Sequence, residues 1–468
     1  MLVRTSPIGA AFREPSPPAV TAPLGILYLA AALKEALGDA VTVEIESLST
    51  AVRSPGEIPA FIADREPDVV GISSSLVEEP DAIAVARAAR ALAREPLVVL
   101  GGPYPSCSPA RALERTGAHL AVIGEGERAF VEIVRSRIGG GDVPSLPGVA
   151  SLEESGEMVT GGPAEYAPDP DAIAFPAWDL IPIETYSRMY NFNDIPLVRD
   201  LHVPLLTSRG CPYKCSFCHN IFGKKFRGRS PENVVDEMEL LVERFGVREF
   251  HVVDDIFNAS ARRMEDICRL VVDRKLDVSL AFPNGVRGDI MTKEQIELLA
   301  RAGCYSITFA LESASPRILK RMNKRTNLEK LSRSVRLASE AGMITSCFII
   351  FGYPGETRED LEATIRWVRD SRVDFPRHSI ASPFPGTDMA DHARGAGLEA
   401  EIEVDRSNYD WSNMGLASMP HEEFRSLVRS GMREIMQEPR RLARLKDIWS
   451  RWDEGGMKYM GHSPDRRF

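Results

Sequence analysis

The sequence predicts an α/β chain of two units: an N-terminal doubly wound parallel sheet, then a partial (β/α)6 barrel that ends in a small helical C-terminal region. Three observations carry that expectation. Short β-branched runs alternate with helical patterns through the first third. A Gly- and Pro-rich stretch then interrupts the alternation, and six further strand-helix repeats follow before the composition turns charged. A chain of 468 residues with 44% hydrophobic and 26% charged content has material for two or three packed units and is too apolar for disorder.

In the first unit, residues 1–140, strands are expected at Leu2 to Arg4, Val41 to Ile45, Val69 to Ile72, Leu97 to Leu100 and Leu120 to Ile123. Helices fall at Gly25 to Leu37, near Glu57 to Asp64, and at Pro80 to Arg94, Ser108 to Thr116 and Gly126 to Arg137. Apolar strands joined by helices imply a parallel sheet covered on both faces, because right-handed crossovers place the helices there. Residues 141–203 lose the alternation and read as an ordered connector, with Gly139-Gly140-Gly141, Pro168-Asp169-Pro170 and Phe175-Pro176-Ala177-Trp178.

The alternation resumes over residues 204–398. Strands are expected at Pro204 to Thr207, Glu249 to Val253, Ser279 to Phe282, Tyr305 to Phe309, Ile344 to Ile350 and His378 to Ala381. The helices between them are Pro231 to Phe245, Arg262 to Arg274, Lys293 to Ala302, Asn327 to Ala341 and Arg358 to Asp370. Six units make three-quarters of an eight-fold barrel, whose functional groups lie on loops after strands. Residues 399–468 are charged and helical, at Glu422 to Met436 and Arg440 to Trp452, and read as a cap.

The net charge of -10 argues against nucleic acid or an anionic membrane as the main partner, since both call for a basic excess. The local run Lys224-Lys225-Phe226-Arg227-Gly228-Arg229 reads as a loop that binds an anionic cofactor or stays solvated. Met1 to Pro18 has no apolar core of a signal peptide, and no stretch reaches the length of a membrane span. A cytoplasmic monomer is therefore expected. Seven cysteines, three of them clustered, suit a reducing compartment in which thiolates serve metals.

Small residues collect where the first unit's strands end: Ser73-Ser74-Ser75, Gly101-Gly102-Pro103 and Gly124-Glu125-Gly126-Glu127. Doubly wound sheets bind ligands at the carboxyl ends of their strands, and backbone without bulky side chains lets a large ligand approach. One such run is usually a turn; three at one edge point to a pocket. Gly-x-Gly-x-x-Gly after the first strand is absent, which disfavours an ordinary dinucleotide fold.

Cys211, Cys215 and Cys218 directly follow the first barrel strand. Three thiolates leave one coordination position of a tetrahedral site or a cubane open, which suggests chemistry rather than scaffolding. A zinc knuckle would need a fourth ligand. His219 is adjacent, but no second Cys or His pair stands at zinc-finger spacing. Of the other thiols, Cys268, Cys304 and Cys347 read as core residues and Cys107 as a spectator.

Cys-x3-Cys-x2-Cys after the first strand of a six-unit barrel resembles the radical S-adenosylmethionine (SAM) superfamily. The resemblance implies that Cys211, Cys215 and Cys218 hold three irons of a 4Fe-4S cluster, that SAM chelates the fourth, and that Phe217 packs beside the adenine. It further implies SAM contacts from Asp254 and Asp255 toward the cofactor ammonium, Asn284, and Arg287 as a fork on its carboxylate. Glu312 and Ser313 would address the ribose or amino group, with Gly352 and Pro354 near the adenine and Pro385 on the loop after the sixth strand.

The N-terminal unit, with its Pro23-Leu24-Gly25-Ile26-Leu27-Tyr28-Leu29 segment and the glycine runs at the strand ends, is similar to the cobalamin-binding Rossmann-like domain fused to many of these enzymes. That likeness implies cobalamin contacts from Leu24, Gly25, Ser73, Ser74, Ser75, Gly101, Gly102, Pro103, Gly124, Glu125, Gly126 and Glu127. The Asp-x-His-x-x-Gly motif that gives cobalt a histidine is missing, and His119, the unit's one histidine, reads as structural. The family then implies a methyltransferase that uses a 5'-deoxyadenosyl radical and methylcobalamin on a small-molecule substrate. The alternative is a cyclase, ring-contraction or oxidative rearrangement enzyme without net methylation. A flavodoxin or ferredoxin would supply electrons. A non-enzymatic electron carrier is the third reading, and a methylthiotransferase is disfavoured because the first third has only Cys107.

Overall fold

A computed structural model describes residues 1–5, 21–52, 54–188, 196–219, 221–395 and 417–452. The chain divides into two compact units. Met1–Phe192 with Asn220–Gly223 form the first, and Asn193–His219 with Lys224–Phe468 the second.

The first unit is built on seven strands: β1 (Leu2–Arg4), β2 (Ile45–Ser47), β3 (Val69–Ser73), β4 (Leu97–Gly101), β5 (Leu120–Val122), β6 (Val149–Leu152) and β7 (Met158–Thr160). Their order is β2-β1-β3-β4-β5-β6-β7; the first five are parallel and the last two antiparallel. Helices Leu24–Leu37 and Glu127–Ile138 pack together, and helices Ile58–Ala63, Glu79–Arg90 and Pro109–Thr116 form a second group. Leu2, Ile26, Ala30, Phe130 and Val134 make one buried cluster with Val99 and Val122 of the sheet. Each large apolar side chain so buried contributes roughly 1.5–3 kcal/mol.

One expectation changes here. The second strand lies at Ile45–Ser47 rather than from Val41. Val41 and Val43 pack on the apolar cluster, but the register with β1 begins only at Ile45 opposite Leu2. Residues 141–203 read as an ordered connector, and within them β6 and β7 extend the sheet as a hairpin. Its turn is closed by Gly156 N–H to the Glu153 carbonyl at 2.9 Å, with Gly156 at φ +82°. The glycines mark the turns between two short strands, which is why the segment lacked a strand signature.

The second unit carries β8 (His202–Leu205), β9 (Ser208–Arg209), β10 (Arg227–Gly228), β11 (Glu249–Val252), β12 (Ser279–Val286), β13 (Cys304–Glu312), β14 (Ile344–Phe351) and β15 (Phe375–Ile380). Six form an all-parallel sheet in sequential order, with β8 and β15 at its edges, so the barrel is open. β9 and β10 pair antiparallel, Arg209 opposite Arg227, and tie the base of the loop between them.

Helices Pro231–Phe245, Ala261–Asp273, Lys293–Arg301, Leu328–Glu340 and Arg358–Asp370 connect the strands. Their starts are written locally. The Ser230, Ser260 and Asn327 side chains accept N–H groups of the first turn, and Thr292 with Gln295 and Thr357 with Asp360 form capping boxes. A cap of this kind contributes about 1 kcal/mol. Helices His421–Met436 and Pro439–Trp452 follow. Arg441, 4% exposed, collects three carbonyls: Val368 and Val373, each at 2.7 Å, and Ile435. Two of these belong to last turns of helices, where unpaired carbonyls and the dipole favour a cation. Among the described residues, no helix is long and apolar enough to cross a membrane.

Candidate active site and cofactor-binding edge

In the second unit, Cys211, Cys215 and Cys218 lie on the loop between β9 and β10, and that loop is fastened from several directions. Ser216 donates its N–H to the Met322 carbonyl (3.0 Å) and its own carbonyl accepts Met389 N–H (2.8 Å). The Ser216 and Tyr353 hydroxyls are 2.5 Å apart, and Asn323 Nδ2 donates to the Lys214 carbonyl at 2.8 Å. Phe217 packs on the buried cluster that includes Ile318, Met322, Tyr353 and Met389. The thiol-bearing backbone is thus located by the helix end near Met322 and by the turns after β14 and β15.

Burial pushes all three thiols up. For Cys218, whose surface is open but whose neighbours displace much of its hydration, burial and then Cys215 and Cys211 raise it to about 12. Lys324, ahead of Arg287, opposes the rise at Cys215, and Lys224 opposes it at Cys211. Among the described residues no three His, Cys, Asp or Glu side chains converge tightly enough to hold a single metal ion. Three thiols close enough to repel one another as thiolates, with cations beside them, are a donor set whose missing positive charge a polynuclear iron centre supplies.

Asp254 and Asp255 end β11 but take different parts. Asp254 is buried and accepts Thr207 N–H (2.6 Å), Thr207 Oγ1 (2.6 Å) and Ser208 Oγ (2.5 Å). Both its oxygens are committed to the strand that leads into the thiol loop, rather than standing open for a cofactor ammonium. Burial, then Asp254, raises Asp255 to about 6, while a hydrogen bond from the Gly210 backbone opposes the rise. Asn284 is exposed and donates Nδ2 to the Val253 carbonyl at 2.7 Å.

Arg287 departs from expectation. Its fork closes on Asp289, Nε to Oδ1 at 2.7 Å and Nη2 to Oδ2 at 2.6 Å, rather than standing open for a carboxylate. It also lies 4.6 Å from the Tyr213 ring centroid and donates Nη1 to the Lys324 carbonyl at 3.3 Å, so it braces the thiol loop. A bidentate partner two residues along the chain outcompetes an outside ligand because little freedom is lost in forming it.

Glu312 ends β13 with φ +67°, a left-handed conformation that costs roughly 1–2 kcal/mol for a residue with a side chain. Its Oε1 accepts Lys324 Nζ at 2.8 Å. Ser313 turns instead to scaffolding: its Oγ is 3.3 Å from Thr364 Oγ1 and accepts Ser315 N–H at 3.1 Å. Gly352 N–H donates to Glu356 Oε2 at 2.6 Å, and Pro354 is buried beside it. Pro385 is half-buried on the turn after β15.

In the first unit, the three small-residue runs meet at the carboxyl edge of the sheet. Ser74 donates N–H to the Gly101 carbonyl (3.1 Å) and accepts Tyr104 N–H (2.9 Å), while Ser106 Oγ accepts Gly124 N–H at 3.0 Å. Gly102 has φ +89°, and a Cβ there would lie 3.0 Å from the Ser74 carbonyl oxygen and 3.1 Å from Ser73 Oγ. Ser75 and Glu78 form a capping box below Ser73, and Pro103 opens the next short helix. Glu125 accepts Ala167 N–H at 2.8 Å, Gly126 caps the helix that begins at Glu127, and Leu24 and Gly25 open the first helix with free space around Gly25. This is an edge of backbone and small side chains, fit for a broad, flat ligand.

Lys324, Asp289 and Tyr213 escaped sequence reasoning. Lys324 sits in Lys320-Arg321-Met322-Asn323-Lys324-Arg325, a run that reads as a solvated helix end, and nothing in it signals burial.

A three-thiol loop after the first strand of an open parallel barrel, preceded by a doubly wound sheet with a bare carboxyl edge, defines an enzyme of the radical SAM class with a cofactor-binding partner domain. Residues 205–368 match the radical SAM superfamily and residues 16–134 the B12 binding domain. The chain thus carries a radical SAM domain and, ahead of it, a B12 binding domain. It is 29% identical over 430 residues to an uncharacterized methyltransferase of Pyrococcus horikoshii, covering 91% of this chain and 90% of the relative. It is 28% identical over 416 residues to the cytidylyl-2-hydroxyethylphosphonate methyltransferase of Streptomyces wedmorensis, covering 80% and 78%. In fold it is similar to the radical SAM methyltransferase TsrM from Kitasatospora setae, solved with cobalamin and a [4Fe-4S] cluster, with a TM-score of 0.68 and 23% identity over 84% of this chain and 77% of that one.

Proposed function

We propose that this enzyme is a cobalamin-dependent radical SAM methyltransferase acting on a small molecule. The observation that carries the reading is the fastened three-thiol loop at the strand ends of one unit, in a chain whose other unit is a B12 binding domain and which two methyltransferases match over 91% and 80% of its length. When bound, cluster and SAM supply a radical that removes hydrogen from substrate, and cobalamin supplies the methyl group.

The residues divide the work. Cys211, Cys215 and Cys218 hold the cluster, and Ser216 with Tyr353 fixes their backbone. Asp255 and Glu312 accept the cofactor's ammonium and hydroxyl groups, Asn284 adds a polar contact, and the turn at Gly352 and Pro354 lies along the adenine with Phe217. In the other unit Ser73 to Ser75, Gly101 to Pro103 and Gly124 to Glu127, with Leu24 and Gly25, form the cobalamin seat. We place the domain limits at 1–140, 141–203, 204–398 and 399–468, and expect a cytoplasmic monomer that draws electrons from a flavodoxin or ferredoxin.

The test is anaerobic reconstitution with iron, sulfide and cobalamin, followed by incubation of small-molecule extracts with methyl-labelled SAM. A product that gains the labelled methyl together with 5'-deoxyadenosine supports the reading. 5'-Deoxyadenosine with an unlabelled, rearranged product overturns methyl transfer in favour of a cyclase or rearrangement enzyme. Cys211→Ala abolishes both products.

A further inference from the structure

Lys324 is 7% exposed, and a buried ammonium is costly unless a partner holds it. Glu312 Oε1, 2.8 Å away, is that partner. The backbone on both sides of the pair is forced: Glu312 stands at φ +67°, and Lys324 lies between Asn323 at φ +51° and Arg325 at φ +52°. Six residues other than glycine have positive φ among the described residues, and three of them serve this one ion pair. Such concentration of backbone strain marks a place where geometry is held for function.

The strained loop is aimed at the thiols. Asn323 reaches the Lys214 carbonyl, the Met322 carbonyl accepts Ser216 N–H, and Arg287 holds the Lys324 carbonyl, so contacts on both sides of Cys215 fix the ammonium relative to it. Nζ lies 5.7 Å from the centroid of Phe217, the residue before Cys218.

We propose that Lys324, aligned by Glu312, is an electrostatic positioning residue for the thiol-held cluster, and that its buried charge raises the cluster's reduction potential. The inference rests on the functional reading above. Reduction adds one electron, and so one negative charge, to the cluster. A fixed cation in a poorly hydrated setting stabilises the reduced form more than the oxidised one, whereas a carboxylate does the opposite. Glu312 therefore has two opposed effects: it keeps Lys324 in place and partly offsets its field.

The experiment is an EPR-monitored redox titration of the full-length, reconstituted protein without SAM, with dithionite supplying the electrons. In Lys324→Met the ratio of reduced to oxidised cluster at a fixed potential falls about tenfold, which is a shift of about 59 mV for one electron. Lys324→Arg stays within about threefold of the parent. Glu312→Gln, which keeps the cation and removes its counter-charge, shifts the ratio the other way and keeps the proposal testable should Lys324→Met fold poorly. A Glu312→Gln protein that titrates like the parent or shifts downward overturns the proposal, as does a cluster-loaded Lys324→Met protein with unchanged potential. If the parent itself assembles no 4Fe-4S cluster, the functional reading fails and the inference falls with it; an assembled cluster with unmoved potential sinks the inference alone.

Discussion

The hydroxyl of Tyr353, in the turn after β14, lies 2.5 Å from the hydroxyl of Ser216, the residue that follows Cys215. It is a tether between the barrel's fifth strand and a loop that begins after its first. Tyr353→Phe removes it and keeps the ring in the apolar cluster on which Phe217 packs. We expect a stability loss of about 1 kcal/mol and a several-fold faster loss of iron to a chelator. Ser216→Ala does the same, and the double variant costs less than the sum of the two, because the bond between the hydroxyls is lost only once while each also gives up its contact with the Arg321 carbonyl. Iron release followed by absorbance, with urea unfolding of the four proteins, checks the cycle.

Asp254 and Asp255 are neighbours in sequence with opposite expected phenotypes. Asp254→Ala strands the Thr207 N–H and two hydroxyls that it satisfied, and about 2–4 kcal/mol of stability goes with them. Asp255→Asn does not lower stability, since the charge that it removes is one that burial and Asp254 disfavour, but it weakens SAM binding by about tenfold. Urea melts and equilibrium dialysis with labelled SAM separate the two. Equal losses of stability would refute the division of labour.

Glu356 gives a pH signature. Burial, only partly opposed by the hydrogen bond from Gly352, raises its carboxyl to about 8 from 4.5. Between those values the unfolded chain releases a proton that the folded chain keeps, so stability is full below pH 4.5 and declines as pH rises toward about 8. The slope from this one group is at most about 1.4 kcal/mol per pH unit. Glu356→Gln removes the decline and is more stable than the parent above about pH 6. Thermal melts from pH 5 to 8 show a converging pair of curves at the acid end.

Arg441 predicts a local failure. Arg441→Met takes the side-chain donor from the Val373 carbonyl, while the Val368 and Ile435 carbonyls keep Ser371 and Glu438 as donors; the loss costs about 1–3 kcal/mol, and cleavage by protease begins near helix Pro439–Trp452. Mass spectrometry of the first fragments locates the cut.

Much of the second unit was legible because its signals are local. Pro231–Phe245 starts one residue after Ser230 and stops at Gly246, and Arg358–Asp370 starts after the Thr357 cap, so the caps alone fix both helices. The thiol loop was legible because metal-ligand spacing is written along the chain. What escaped is what only the folded chain brings together. Arg287 reads as a free cation until Asp289 folds back on it, and Lys324 reads as a solvent-facing charge until Glu312 meets it at the end of β13. Ser313 likewise belonged to the strand end as expected, but its hydroxyl answers to Thr364, some fifty positions away. The β6–β7 hairpin was hidden for a different reason: strands of four and three residues between glycines are too short to show a period.

The grip of Arg441 has a consequence for how this chain can vary. It clasps peptide oxygens, which every amino acid provides, so it is indifferent to the side chains of the helices whose ends it gathers. The sequences of those helices can drift while one guanidinium keeps the attachment constant.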